Sequence, residues 1–359
     1  MIKVYEKFLI KLFLKKLFNI FLIFLSLVLV LNIFEEISFF INLNANPLLP
    51  FVLTFLNAPS IIYEIFPFIF LISSLLFFLD LINNDELEVF KINGLNNLKI
   101  IRLLFFTSFL SGILIISVYY AFSSKLKHLY LGLKNVHSKD DKYLAMVTEN
   151  GIWIKDSIEQ NIFIINARKI DKNYLKDVLI SEFDKNFNLI RIIRSADVDI
   201  SNNEWLIHMP YISKDNISIK SDKILELKTH FNLKKINGLF SDLSSLNILE
   251  LIKRNIDYKE LGYSTREIQS HLNKILSLPV YLSIMTVLAA IIMLNVKRNK
   301  PMIFYLILSI FLSVVIYYFY YLFNLIGESG KIPIYISIWL PLFLLTIFIT
   351  IGLVRINEK

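Results

Sequence analysis

The groups able to do chemistry are few in this chain, and their spacing excludes more than it suggests. No cysteine is present, so thiol catalysis, disulfides and thiolate metal sites are ruled out. The histidines, at positions 128, 137, 208, 230 and 271, show no metal-ligand spacing such as His-x-x-x-His. Ser, His and Asp occur mid-chain without a nucleophile elbow. A Gly-x-x-x-x-Gly-Lys-Ser/Thr phosphate loop is absent, so the sequence does not read as a nucleotide hydrolase. What remains is polar residues set into apolar sequence. "NNDELEVFKINGLNN", residues 83–97, is an island between two long apolar runs. Its pattern predicts a two-turn helix, with Asp85 as N-cap, Glu88 completing a capping box and Gly94 ending it in the left-handed conformation. Leu87 and Phe90, with Lys91 one position on, gather on one side. Glu86 has no cation three or four residues ahead. The island is then either a solvated interfacial helix or a docking element, an acid beside an apolar knob offered to a basic-rimmed groove.

Two further clusters lie inside apolar runs. "NIFEEISFF" carries Glu35, Glu36 and Ser38, where charges are costly unless they reach water, a cavity or the interface. "VVIYYFYYLF" holds Tyr317, Tyr318, Tyr320 and Tyr321, which an aromatic belt explains. These four cover more than one helix face, so at least one is expected to point inward.

The elements that position these groups follow from composition. Hydrophobic residues make up 55% of the chain, with 31 Phe, and mean hydropathy is +0.59. That is too apolar for a soluble domain and marks an integral membrane protein. The net charge of +8 largely flanks apolar segments, which topology explains without nucleic acid. Lys3, Lys7, Lys11, Lys15 and Lys16 recur among Phe, Leu and Ile, predicting an amphipathic helix that lies at the inner surface before the chain turns in. No cleavage site follows, so the first span reads as uncleaved.

Spans need roughly 20 apolar residues, and six segments qualify, at about 17–40, 60–82, 99–123, 274–296, 302–326 and 332–354. Basic residues of the N-terminal arm, Lys91, Lys99, Arg102, Lys297, Arg298, Lys300 and Arg355 fall on one face, against Lys331 on the other. The positive-inside rule places both termini and the island in the cytoplasm and everything from about 124 to 273 outside it. That insert is rich in short, partly alternating Ile and Val stretches, such as "GIWIKD", "NIFIINAR", "LKDVLISEF" and "KILELKTH". It reads as an antiparallel β domain, sandwich or jelly roll. Its end returns to helical periodicity, with Ser241 or Asp242 as N-cap. Three regions result: 1–123 with the amphipathic start, spans one to three and the island; 124–273 with the β domain and helical return; 274–359 with spans four to six. Alternation in "NIFIINAR" sets Ile162, Ile164 and Asn166 against Phe163, Ile165 and Ala167. One face packs a core, and the other is free to line a groove.

On these residues the chain resembles the LptF/LptG permeases, which export lipopolysaccharide from the inner membrane of Gram-negative bacteria. The family signature between spans two and three is approximately Ser-Glu-Leu-x-x-Leu-Arg-x-x-Gly. "DELEVFKING" keeps Glu86, Leu87 and Gly94, with Asp85, Phe90 and Lys91 for Ser, Leu and Arg. The resemblance covers the whole chain, including "KILSLPVYLSIMTVLAAIIML", which is like the family's fourth span. "NGIWIKD" is more like the LptG subunit than LptF. The resemblance implies that Asp85, Glu86, Leu87, Phe90, Lys91 and Gly94 form a coupling helix for an LptB-like ATPase dimer, which hydrolyses ATP while this chain binds no cofactor. It implies a second LptF/LptG-type subunit, with Glu35, Glu36, Ser38 and the four tyrosines at a lateral gate between span one and the partner's span five. It also implies passage of lipopolysaccharide along the periplasmic β domain, where Phe163 and Ile164 are the candidates, toward LptC-like and LptA-like bridge proteins. Some members carry Lys near the level of Glu35 and Glu36, so the acids here depart from the pattern and put direct phosphate pairing in doubt. Two other readings stay open: a mechanotransmission-type ABC subunit, which usually has four spans, and a membrane-anchored β-domain receptor, which predicts a cytoplasmic output domain.

Overall fold

The computed structural model describes residues 3–41, 46–137, 152–158, 161–171, 173–214, 217–233, 236, 242–260, 263–295 and 302–357. The chain divides into two compact units: Met1–Tyr130, Ser244–Leu251 and Thr265–Lys359 in one, Leu131–Leu243 and Ile252–Ser264 in the other.

The first unit contains the helices expected to span a membrane. Among the described residues, six are long and apolar enough to do so by length and composition. Helix α1 (Val4–Phe40) runs through both the lysine-rich arm and span one. The expected turn between them does not occur, because no Gly or Pro interrupts residues 3–41 and Leu, Lys and Phe continue a helix without penalty. Helix α2 (Leu49–Asn83) leads to the short α3 (Glu86–Ile92). Span three is α4 (Asn97–Leu114), a π-helical stretch (Ile115–Tyr120) and α5 (Ala121–His137) in direct succession. Spans four to six are α7 (Arg266–Leu294), α8 (Met302–Glu328) and α9 (Ile334–Asn357). Helices α7 and α2 form the buried centre, whereas α1 and α8 are the most exposed. Spans three and four approach closely at Gly112, where a Cβ would lie 2.6 Å from Pro279 Cα.

Among the described residues the second unit holds eight strands, β1 (Ile152–Ile158), β2 (Asn161–Asp171), β3 (Tyr174–Phe183), β4 (Leu189–Asp199), β5 (Glu204–Ile207), β6 (Tyr211–Lys214), β7 (Ile217–Lys220) and β8 (Leu225–Lys228). The pairs are antiparallel in the order β1-β2-β3-β4-β5-β8, with β6 on the other half of β4 and β7 beside β6. This is the inserted antiparallel domain expected, as a sheet that does not close. One core collects Ile154, Phe163, Ile165, Ile180 and Ile193 with Trp205, Ile207, Leu227 and Phe231. The helical return is α6 (Ile248–Glu260), which begins in one unit and ends in the other. Its N-cap is neither of the expected residues. Asn247 Oδ1 accepts the Glu250 N–H at 2.9 Å and Glu250 Oε2 accepts the Asn247 N–H at 2.9 Å, a reciprocal capping box. Asp242 instead precedes a 3-10 turn, Leu243–Ser245, and Ser241 lies outside the described residues.

Candidate functional site

The island folds as a helix, but not with the expected start. Asp85 occupies the N-cap position with φ 54° and makes no side-chain cap bond. A capping carboxylate needs extended backbone to reach the N2 and N3 amides, and the left-handed turn at Asp85 removes that reach. The C-terminus does follow the pattern. Gly94 has φ +78°, its N–H bonds Lys91 O at 3.0 Å and the Leu95 N–H bonds Phe90 O at 2.9 Å, a Schellman pair.

Leu87 is buried in the chain's own helical core, with Phe90 partly buried against it. The apolar surface left outward is therefore Val89 and Ile92, at 54% and 85% exposure, beside exposed Lys91. Phe90 packs near Phe8 of α1 with ring centroids 6.3 Å apart. Between the two helices lies an apolar cleft of about 580 Å³ lined by Val4, Tyr5, Phe8, Glu86, Val89 and Phe90. Within it Glu86 Oε2 is sealed from solvent and has no hydrogen-bond partner among the described residues. A carboxylate oxygen so placed is destabilising until a donor or cation arrives.

The other end of the bundle is arranged differently. Glu36 is fully buried and accepts the Tyr130 hydroxyl at 2.8 Å on Oε1. Lys127 Nζ donates to Asn57 Oδ1 at 2.8 Å and lies 4.8 Å from the centre of the Tyr130 ring. Asn57 Nδ2 in turn donates to Asn32 Oδ1 at 3.3 Å. Spans one, two and three are thus stitched by one polar network. Glu35 and Ser38 are exposed instead. A second seam joins α7 to α8. Ser270 Oγ bonds Asn324 Oδ1 at 2.6 Å and Glu328 Oε1 at 2.8 Å, and Lys274 Nζ is 3.6 Å from Glu328 Oε1. Tyr320 belongs to this seam: its hydroxyl meets Ser277 Oγ at 3.1 Å and its ring stacks on Tyr281 at 5.2 Å. Tyr317, Tyr318 and Tyr321 are exposed. Tyr317 stacks on Tyr321 at 6.4 Å and touches Phe68 of span two at 5.7 Å.

Residue reading along the sequence overlooked several of these groups. Glu64, near the middle of α2, is an exposed carboxylate with Tyr317 in its field. The networks around Glu36 and Glu328 escaped as well, although Asn32 with Glu36 and Asn324 with Glu328 are i, i+4 pairs of polar residues in apolar helices. In β2, Phe163 faces the domain core and Ile164 lies half-buried on the opposite face. On that face Ile164 is flanked by Lys155 and Ser181. Among the described residues, no group of three or more His, Asp or Glu could hold a metal ion.

A family model described as "Lipopolysaccharide export system permease LptF/LptG" matches residues 7–355. The chain belongs to this family. No curated protein matches it. Membership makes the chain a lipopolysaccharide export permease, a transport subunit of multi-pass membrane type. The family description covers LptF and LptG together and does not separate them. In this LptF/LptG chain, α3 is joined by short turns to spans two and three, the exposed tyrosines lie on span five and Glu35 and Ser38 on span one.

Proposed function

We propose that this permease is one half of an ATP-driven exporter in the bacterial inner membrane. It works with a second LptF/LptG-type subunit, an LptB-like ATPase dimer, and LptC-like and LptA-like bridge proteins. The chain itself binds no cofactor, and ATP is hydrolysed by the partner. Supporting this reading above all is Glu86, whose carboxylate oxygen, unpartnered among the described residues, sits in an apolar cleft at a two-turn helix. A groove bearing a cationic side chain would satisfy that oxygen and cover Val89 and Ile92. The asymmetry of basic residues supports a cytoplasmic α3 and a periplasmic β domain.

The mechanism follows from how α3 is held. Leu87 fastens it to the core and Asp80 of α2 pairs with Lys16 of α1, so displacement of α3 carries spans one and two with it. A lipid with several acyl chains passes between helices only where a seam parts. Lipid solvates apolar helix faces as well as another helix does, so seams without internal polar stitching part most readily. Spans one to three, and four with five, are stitched within the chain. The outward faces of α1 and α8, with Glu35, Ser38 and Tyr318, are therefore the surfaces for a reversible gate with the second subunit. Glu64 beside Tyr317 fits a wall that meets water, since an exposed carboxylate in mid-span is costly against lipid. The LptG rather than LptF identity rests on "NGIWIKD" alone.

Purification from mild detergent, with identification of bound proteins and lipids, tests the assembly: an ATPase and lipopolysaccharide are expected with the wild-type chain. Glu86→Lys is expected to lose the ATPase while the chain still inserts, and a charge reversal on the partner to restore some binding. Undiminished capture by Glu86→Lys would reduce α3 to a solvated turn. A reporter active only in the periplasm is expected to work after Ser195 and fail after Asn93, and the reverse would overturn the orientation.

A further inference from the structure

The carboxylate of Glu64 is exposed on α2, in company that selects one kind of cation. Phe68, one turn further along α2, meets the Tyr317 ring of α8 at 5.7 Å. Tyr317 in turn stacks on Tyr321 at 6.4 Å, with an interplanar angle of 10°. Spans two and five run in opposite directions, so the turn from Phe68 back to Glu64 and the turn from Tyr317 on to Tyr321 climb toward the same end. Glu64 is therefore level with Tyr321 and one turn from Tyr317, which lies in its field. Both tyrosines keep surface outside the chain, 36% for Tyr317 and 44% for Tyr321. An acid and two nearly parallel rings share one open corner.

The helices around this corner bring acids and no bases to it. No Lys or Arg occurs between Lys16 and Lys91, and α8 contains none. The charged residues between Lys16 and Asp80 are Glu35, Glu36 and Glu64. In neighbouring spans, Lys127 is turned to Asn57 and the Tyr130 ring, and Lys274 lies by Glu328. A phosphate passing the corner meets repulsion from Glu64, and a cationic group meets attraction. The rings decide which cation. A hard divalent ion takes about six or more oxygens, whereas one carboxylate beside aromatic faces suits an ammonium, which the carboxylate hydrogen-bonds and the ring faces attract. Such a hold is weak enough to release, as cargo requires.

We propose that Glu64, Tyr317 and Tyr321 form a subsite for an ammonium group on the headgroup of the exported lipid, so that the permease favours amine-bearing forms of its cargo. The inference rests on the reading of this face as a wall of the transport path. It is tested on the full-length permease, purified with the subunits it brings and placed in nanodiscs. The two probes are lipopolysaccharide bearing phosphoethanolamine and the same lipopolysaccharide after N-acetylation, which leaves its amines neutral. The wild type is expected to bind the amine form about tenfold more tightly, as a desolvated cation–aromatic contact provides. Glu64→Gln is expected to erase the preference by weakening the amine form alone, and Tyr321→Leu to reduce it about threefold. Glu64→Lys is expected to reverse it. Equal affinity of the wild type for the two forms would overturn the ammonium subsite while leaving a lipid-binding wall; binding of neither would overturn both. A preference that survives Glu64→Gln would place the amine elsewhere and overturn the assignment. So would binding of both forms that falls alike on chelation and in Glu64→Gln, the mark of a divalent ion bridging carboxylate and phosphate. Loss of the second subunit from the Glu64→Gln preparation, with lipid affinities unchanged, would equally overturn it, since a basic side chain of that subunit would then hold the carboxylate.

Discussion

The two ends of the helical unit treat buried polar groups in opposite ways. Near α3 a carboxylate oxygen of Glu86 is sealed in an apolar cleft with no donor among the described residues. At the far end Glu36, although more deeply buried, holds the Tyr130 hydroxyl, and Lys127, Asn57 and Asn32 continue the network. A network that runs between helices holds them together within the chain; an acceptor without a donor costs free energy that an outside donor recovers. If α3 docks the ATPase as proposed, stability and partner recognition are separated along the bundle, one at each end.

The sharpest way to break that contrast is Glu86→Lys. It is expected to weaken ATPase binding by about 2–5 kcal/mol, as loss of a desolvated interfacial charge does, without lowering the thermal unfolding temperature of the detergent-solubilised permease. A fall in melting temperature in the absence of partner would mean that Glu86 serves the fold. Glu36→Ala should do the converse. With the Tyr130 hydroxyl stripped of its acceptor, stability is expected to drop by about 1–3 kcal/mol, and ATPase titration to be unaltered. Smaller again is Tyr320→Phe, which removes one bond of the α7–α8 seam and is expected to cost about 0.6 kcal/mol. Tyr318→Phe, on the exposed face, should register no change in the same unfolding assay. The seam assignment also supplies a crosslinking test. Cysteines at Ser38 and at the counterpart of Tyr318 in the second subunit are expected to form a disulfide that blocks export until reduced. Efficient crosslinking with undiminished export would show a static seam.

The smallest effect lies outside the helices. The Asn188 side-chain amide, helped by backbone N–H groups of Asn188 and Asn186, lowers the Asp184 pKa below its ordinary value at the β3–β4 turn. A carboxylate depressed in the folded state stabilises above its unfolded pKa, about 3.9, and this contribution fades as pH falls through the lower folded value. Amide protection at the turn, taken relative to intrinsic exchange at each pH, should therefore fall on acidification in the wild type and lose that pH dependence in Asp184→Ala. Persistence of the dependence in the variant would assign it to another group.

Much of the fold was legible because apolar run length and β-branched alternation are strong local signals. All six spans and the antiparallel insert follow from them, and Gly94 could be placed because only a left-handed residue ends α3. What stayed hidden depends on facing. Leu87 and Phe90 look like an outward knob by spacing, yet Leu87 packs inward, since periodicity gives a helix two sides without saying which is covered. The capping box failed at Asp85 because the tight connection from α2 forces φ 54° there. Tyr320 and its three neighbours are chemically alike, and only the partners Ser277 and Tyr281, some forty residues earlier, distinguish it. Glu64 was a single acid in a long apolar run and carried no pattern.

Helix α1 begins beside the cleft, where Val4, Tyr5 and Phe8 form one wall, and ends just beyond Glu35 and Ser38. Its 37 residues, at 1.5 Å rise each, make a rod of about 55 Å. Such a rod has leverage. If it pivots near its centre by about 5°, each end travels about 2.4 Å for that length, and the two ends travel in opposite directions. Whatever presses on the wall of the cleft would then be felt at the far terminus as an outward swing, with no hinge between to absorb it.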